Sequence, residues 1–224
     1  EIGWCDWSSD VCSSDLRAGA DKISEFLGWA DEVGVEIVTL WMLSTDNLSR
    51  TSEELDELLG IIADAVDRLA AQKWCLAVVG DLDLLPETIA ERIRAAVAST
   101  CSRSTMRVNI AVGYGGRHEI TEAVRQIISD AAAKGISLEE LANTLTDADI
   151  TDHLYTKDQP DPDLVIRTSG EQRLSGFMIW QSVHSEFYFC EAYWPDFRRV
   201  DFLRAMRSYG QRERHRLVDR KSVV

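Results

Sequence analysis

Segments with helical spacing alternate along this chain with short runs that are apolar throughout. Ala18–Val33 puts Ile23, Phe26, Leu27 and Ala30 on one face. Ser52–Ala71 does the same with Leu55, Leu58, Leu59, Ile62, Val66 and Leu69. Pro86–Ala98, His118–Ala133, Ser137–Thr144 and Val200–Arg214 also read as helices, with Pro86 suited to a first turn. Val35–Leu43, Trp74–Val79, Arg107–Val112, Leu164–Ile166 and Phe187–Phe189 read as strands. Strands apolar on both sides belong in a parallel sheet whose two faces are covered by helices. The pattern predicts an α/β fold, a single parallel-sheet domain with helices on both faces. No internal repeat or low-complexity linker divides it.

In such sheets ligands collect beyond the carboxyl ends of the strands. Four polar loops fall there. Ser44-Thr45-Asp46-Asn47 follows the first strand of the pattern, Gly80-Asp81 the second, and Tyr114-Gly115-Gly116-Arg117 the third. The fourth is the richest. Leu164-Val165-Ile166 runs into Arg167, a polar turn follows over Thr168–Gln172, and Arg173 and Ser175 come next. A guanidinium offers a planar fork of donors that fits phosphate oxygens two at a time. Two of them with a hydroxyl make a good diphosphate site, and Glu186 behind them suits a divalent metal. Competing structural roles are an ion pair of these arginines with Asp161 or Glu171, or simple capping of helices by the loops.

The stretch DPDLVIRTSGEQRLSGF, followed by WQS and SEFYF, resembles the C-terminal signature of the cis-prenyltransferases, the undecaprenyl diphosphate synthase family. STDN at 44–47, GDL at 80–82 and YGGR at 114–117 match upstream in the same order, so the resemblance covers roughly Arg17 to Val218. It implies an undecaprenyl diphosphate synthase-like fold. It also implies condensation of isopentenyl diphosphate with an allylic diphosphate, with Mg2+ as cofactor. Carried over by position, Arg167, Arg173 and Ser175 bind the diphosphate of isopentenyl diphosphate, and Glu186 is a metal carboxylate. Ser44 and Asn47 stand where catalysis and proton removal occur. Arg50, Glu54, Gly115 and Gly116 fall at substrate-binding positions. Each has a plainer role open to it: an Asx-turn for Asn47, a solvated charge for Arg50, a capping box over Thr51–Glu54, and tight turns at the glycines. Met42 stands where long-chain members often carry alanine. On a regular strand it shares a face with Leu40 and Ser44, so it would narrow an apolar product tunnel walled by Ser52–Ala71, or merely fill core. The implied product is therefore short, of the Z,E-farnesyl type found in actinobacterial relatives. A long polyprenyl carrier is the alternative, and a non-catalytic partner subunit of this fold is the rival of another class.

The ends read differently. Asp6–Leu16, DWSSDVCSSDL, is one translation frame of a sequencing-library adapter, and Asp219–Val224, DRKSVV, is one frame of the opposite adapter. The expected organisation is a non-native segment over 1–16, the prenyltransferase domain over 17–218, and a non-native tail over 219–224. These ends are expected to pack poorly. The family's opening strand and its aspartate–glycine–asparagine motif, which carries a magnesium aspartate, have no counterpart here. The sheet is thus expected to lack its first strand, and the chain as it stands to be inactive.

The formal charge of the whole chain is −14. Glu1, Asp6, Asp10 and Asp15 contribute −4 and the last six residues +1, which leaves −11 for 17–218. Such a balance argues against a nucleic-acid groove. It does not oppose a small anion, whose binding local arginines decide. Outside the adapter-like start, Cys75, Cys101 and Cys190 form an odd set without CxxC spacing, as in reduced cytoplasmic proteins. The four histidines lack ligand spacing, so zinc is not expected. No apolar run is long enough to span a bilayer. A homodimer with peripheral membrane contact through its product completes the expectation.

Overall fold

The computed structural model describes the backbone of residues 2–4 and 13–222, and the side chains of residues 18–212. Its helices are α1 (Ser13–Glu32), α2 (Ser52–Ala70), α3 (Glu87–Ala98), α4 (Gly116–Ala133), α5 (Leu138–Thr144), α6 (Asp147–Thr151) and α7 (Arg199–Ser222). Its strands are β1 (Ile2–Trp4), β2 (Ile37–Ser44), β3 (Cys75–Val79), β4 (Arg107–Tyr114), β5 (Leu164–Arg167) and β6 (Glu186–Phe189). All pair in parallel, in the order β3-β4-β2-β1-β5-β6.

Alternation along the strands sorts the core into two layers. Leu40, Val108, Ile110, Leu164 and Ile166 face a large cluster with Phe26 and Leu27 of α1, Leu58, Ile62 and Val66 of α2, Ile93 of α3 and Phe202 of α7. Trp41, Ala111 and Val165 face the other way, onto Tyr114, Phe177 and Met178. The first layer is locked at the chain's two ends by aromatics. Phe26 meets Trp194, Phe197 and Phe202 edge-on, with ring centroids 5.4–6.5 Å apart. The Trp194 indole N–H donates to the Gly19 carbonyl at 2.8 Å.

Two expectations need correction. The sheet does not lack its first strand, because Ile2–Trp4 lies between β2 and β5, with Ile2 level with both Val38 and Leu164. The cause lies in the backbone. Without a strand there, β2 and β5 would each present a row of unpaired N–H and C=O groups inside the sheet. Backbone pairing asks little of side-chain identity, so a short extended segment suffices. Helix α1 also begins at Ser13. Trp7 and the side chain of Trp4 lie outside the described residues. Second, Thr51 caps α2 by position only, with no side-chain hydrogen bond, so the capping box is not formed. A capping box does form where the pattern gave no helix, between Thr146 and Asp149 at the start of α6.

Helix α7 begins with a different clasp. Asp201, 5% exposed, accepts from the Arg198 backbone N–H at 3.2 Å and from its guanidinium at 3.0 Å. These bonds from Arg198 hold the Asp201 carboxyl below its usual range. A lowered pKa means that the folded state favours the ionised form. The stabilisation is therefore present above the unfolded pKa of roughly 4 and is lost as pH falls below it. Asp201→Asn should lower the unfolding free energy by about 1 kcal/mol at neutral pH. Urea titrations should show that difference shrinking toward pH 3.

Candidate active site

Arg167 is the last residue of β5, and its side chain is 6% exposed. One terminal nitrogen donates to the Arg173 carbonyl at 2.6 Å and to the Ser175 hydroxyl at 2.8 Å. The other reaches the Glu171 carboxylate. Its Nε is buried with no partner among the described residues. Arg173, largely exposed, points into the same place. It donates to the other oxygen of Glu171 at 2.7 Å and, through Nε, to the Ser175 hydroxyl at 3.3 Å. The structure thus brings Arg167, Arg173 and Ser175 together and adds Glu171, the pairing that the sequence had left open. A buried guanidinium requires such a counter-charge, because removing it from water unpaired costs several kcal/mol.

The loop that carries these groups is tightly held. Ser169 and Gly170 donate backbone N–H groups to Ala192 and Cys190 at 2.9 Å each. Ser169, Ser175 and Met178 adopt φ of 75°, 49° and 43°, in the left-handed region. On the other side the loop abuts β4 and α4. The Gly116 N–H donates to the Gly176 carbonyl at 2.9 Å, and the Met178 N–H donates to the Tyr114 hydroxyl at 3.2 Å. Tyr114 passes the contact on to Glu119 at 2.6 Å, and Glu119 also accepts from the Gln181 amide at 3.1 Å and the Tyr155 N–H at 3.0 Å. Glu119 is 2% exposed, and burial raises its pKa. Glu119 and Gln181 are not marked by the sequence as site residues, since neither stands on a rim loop. Their signals are an acid in the first turn of α4 and, for Gln181, its place in the WQS motif after the apolar stretch.

The glycines Gly115 and Gly116 are where three rim loops meet. A Cβ on Gly115 would lie 2.4 Å from the Thr45 hydroxyl, and one on Gly116 would lie 2.6 Å from the Gly176 carbonyl. Neither position has room for a side chain, so the glycines serve close approach. They bring the Ser44–Asn47 turn and the arginine loop to opposite sides of one backbone. Gly116→Ala should destabilise the fold by about 1–3 kcal/mol through overpacking, read from chemical denaturation.

Other candidates are less gathered. Ser44 is buried and its hydroxyl accepts the Asn47 N–H at 3.2 Å, so the Asx-turn role falls instead to a serine. Asn47 and Arg50 are half-buried in the 3-10 turn after β2. Glu54 is exposed on the first turn of α2. Met42 is fully buried in the first core layer with Leu58, Leu59 and Ile62. Strict alternation fails there. A register irregularity between Trp41 and Leu43 puts Leu40, Met42 and Leu43 all in one cluster. Glu186 opens β6 level with Leu164, whereas Arg167 is level with Phe189. Three residues of strand separate the acid from the arginine, about 10 Å, and Glu186 is paired with Arg212 of α7 at 2.7 Å. A cleft of about 700 Å³ lies elsewhere, lined by Asp56, Glu57, Asp64, Asp67, Arg68 and Arg92 among others. Its charged lining is unlike the apolar tunnel expected beside α2.

This parallel α/β fold is shared with solved prenyl diphosphate synthases. The family model for putative undecaprenyl diphosphate synthase matches residues 4–216, and the chain belongs to that family. It is 59% identical over 198 residues to a (2Z,6E)-farnesyl diphosphate synthase of Thermobifida fusca, covering 88% of this chain and 78% of that one. It is 52% identical over 207 residues to a protein of the same name from Mycobacterium tuberculosis, covering 92% and 79%. Among solved structures, lavandulyl diphosphate synthase from Lavandula x intermedia, in complex with dimethylallyl diphosphate, superposes with a TM-score of 0.82 at 31% identity, over 93% of both chains. A probable undecaprenyl diphosphate synthase from Campylobacter jejuni shares the fold, with a TM-score of 0.76 at 24% identity.

Proposed function

We propose that this chain condenses isopentenyl diphosphate with an allylic diphosphate to give a short Z-prenyl diphosphate of the Z,E-farnesyl type. The observation that carries this is the convergence of Arg167, Arg173 and the Ser175 hydroxyl at the end of β5. The names of the Thermobifida and Mycobacterium relatives support the short product. In the reaction the C–O bond of the allylic diphosphate breaks and diphosphate leaves. The double bond of isopentenyl diphosphate attacks the allylic carbon, and loss of a proton leaves a Z double bond. The arginines and Ser175 fix isopentenyl diphosphate by its own diphosphate, which turns an encounter of two molecules into an oriented one. Ser44 and Asn47, on the turn across Gly115, are the groups proposed nearest the departing proton.

Magnesium is the cofactor that the family resemblance implies, and Glu186 is the carboxylate carried over for it. Among the described residues no group of three or more His, Cys, Asp or Glu could hold a metal. Glu186 stands apart from the arginines and already has Arg212 as its partner. Magnesium on a diphosphate needs only one or two protein carboxylates, the rest of its shell coming from phosphate oxygens and water, so Glu186 would hold it once freed from Arg212. The proposed assembly is a cytoplasmic homodimer that meets the membrane only through its product. Among the described residues no helix is long and apolar enough to cross a membrane. A non-catalytic partner subunit would have no need of two arginines and a hydroxyl on one ligand position.

Calorimetric titration of this chain with isopentenyl diphosphate should show binding that Arg167→Ala weakens by about a hundredfold, the loss of roughly 2–3 kcal/mol of charge-assisted bonds. Unchanged affinity in the variant would remove the basis of the proposal. Turnover is expected once a family segment bearing the aspartate–glycine–asparagine motif is joined upstream, and not without it.

Product length is the second readout. Met42 is fully buried in the core layer that also holds Leu58, Leu59 and Ile62 of α2, so a growing chain that reached it would have to force the core apart, at roughly 1–3 kcal/mol. In the restored enzyme Met42→Ala should lengthen the products beyond C15. Equal long products from both forms would mean that Met42 only fills core and that the long-chain reading holds.

A further inference from the structure

The place where the arginines converge holds an acid. Glu171 gives one carboxylate oxygen to Arg167 and the other to Arg173. Glu171 therefore meets each guanidinium through a single nitrogen of its fork. A two-pronged contact to one oxyanion is stronger and more specific than that. The Arg167 Nε has no acceptor at all among the described residues. The three charges sum to +1, so the cradle still attracts a polyanion. Of the pair Arg167 and Glu171, the acid is the one nearer to solvent. Arg167 springs from a strand and is 6% exposed, whereas Glu171 is 37% exposed. It follows Ser169 and Gly170, whose φ values of 75° and 72° mark a turn.

We propose that Glu171 is an internal counter-ion that competes with the diphosphate ligand for Arg167 and Arg173, so that binding proceeds by displacement of its carboxylate. This rests on the reading of the two arginines as the diphosphate site. Without ligand the carboxylate neutralises a buried charge that would otherwise weaken the fold. With ligand, a diphosphate offers more oxygens and more charge than one carboxylate and takes both guanidiniums. Weakly charged anions offer too little to displace it. Glu171 thus lowers the affinity for every anion and raises the threshold that a ligand must pass.

The test uses inorganic pyrophosphate as probe, in metal-free buffer, by calorimetry on the whole chain. Glu171→Gln keeps the shape and removes the charge, and it should bind pyrophosphate about tenfold more tightly, a change of about 1.4 kcal/mol. Glu171→Asp keeps the charge on a shorter arm that cannot span both arginines, and its affinity should fall between the two. In the wild type, the Glu171 carboxyl carbon resonance should move toward its solvent-exposed value as pyrophosphate saturates the site. Equal or weaker binding by Glu171→Gln, or a carboxyl resonance that stays put at saturation, overturns the displacement. If pyrophosphate binds but Arg167→Ala leaves it unchanged, the diphosphate-site reading falls as well. If neither wild type nor Glu171→Gln binds pyrophosphate, both fall together.

Discussion

A guanidinium buried at the end of a strand is the constraint around which this molecule is arranged. Arg167 is placed where the β5 backbone stops, under a loop that folds back over it. Its charge needs acceptors, and the loop supplies a carbonyl, a hydroxyl and a carboxylate within the next eight residues. That compact solution forces the backbone through five left-handed positions between Ser169 and Met178. A backbone so bent needs external support. The two glycines at the start of α4 allow that support to come close, and Tyr114 and Glu119 anchor it.

The anchoring network explains why one layer of the core is small. The layer of Trp41, Tyr114, Phe177 and Met178 holds few residues, but they are aromatic and in contact, with Trp41 stacked on Phe177 at 5.1 Å. Phe177 and Met178 belong to the arginine loop itself. The loop is thus fixed from below by ring packing and from the side by a buried carboxylate, whereas its outer edge, with Arg173 and Ser175, stays open to solvent. The larger layer carries most of the apolar burial and contains Met42, so Met42 and the arginine loop lie on opposite faces of the sheet.

Much of this was legible because periodicity reports burial directly. The faces of α1 and α2 and the strands β2 to β6 follow from Ile23, Phe26 and Leu27, from Leu58, Ile62 and Val66, and from the all-apolar runs. The arginine loop was legible from its residue types and its resemblance. What escaped depends on contacts between distant segments. Nothing local marks Glu119 as buried, because its partners Tyr155 and Gln181 lie 36 and 62 residues away. Strand β1 escaped because its pairing is carried by the backbone, which leaves no mark on side-chain pattern. The bulge at Met42 escaped because the run Leu40–Leu43 is apolar in every register. Glu186 looked close to Arg167 in sequence logic, yet parallel pairing sets it at the far end of the neighbouring strand.

Ser175 shows how such a site constrains the drift of its own sequence. With φ at 49° it occupies a conformation that costs a side-chain-bearing residue about 1–2 kcal/mol and glycine almost nothing. Selection for stability alone would favour glycine there. A glycine would remove the one hydroxyl that both guanidiniums share. Position 175 is thus pulled two ways, toward a relaxed backbone and toward a retained oxygen. Threonine would keep the oxygen and add a branched Cβ in a region that such residues avoid. Serine is the smallest side chain that serves both demands, which narrows the substitutions this position can accept while the neighbouring exposed Gln172 is under no such conflict.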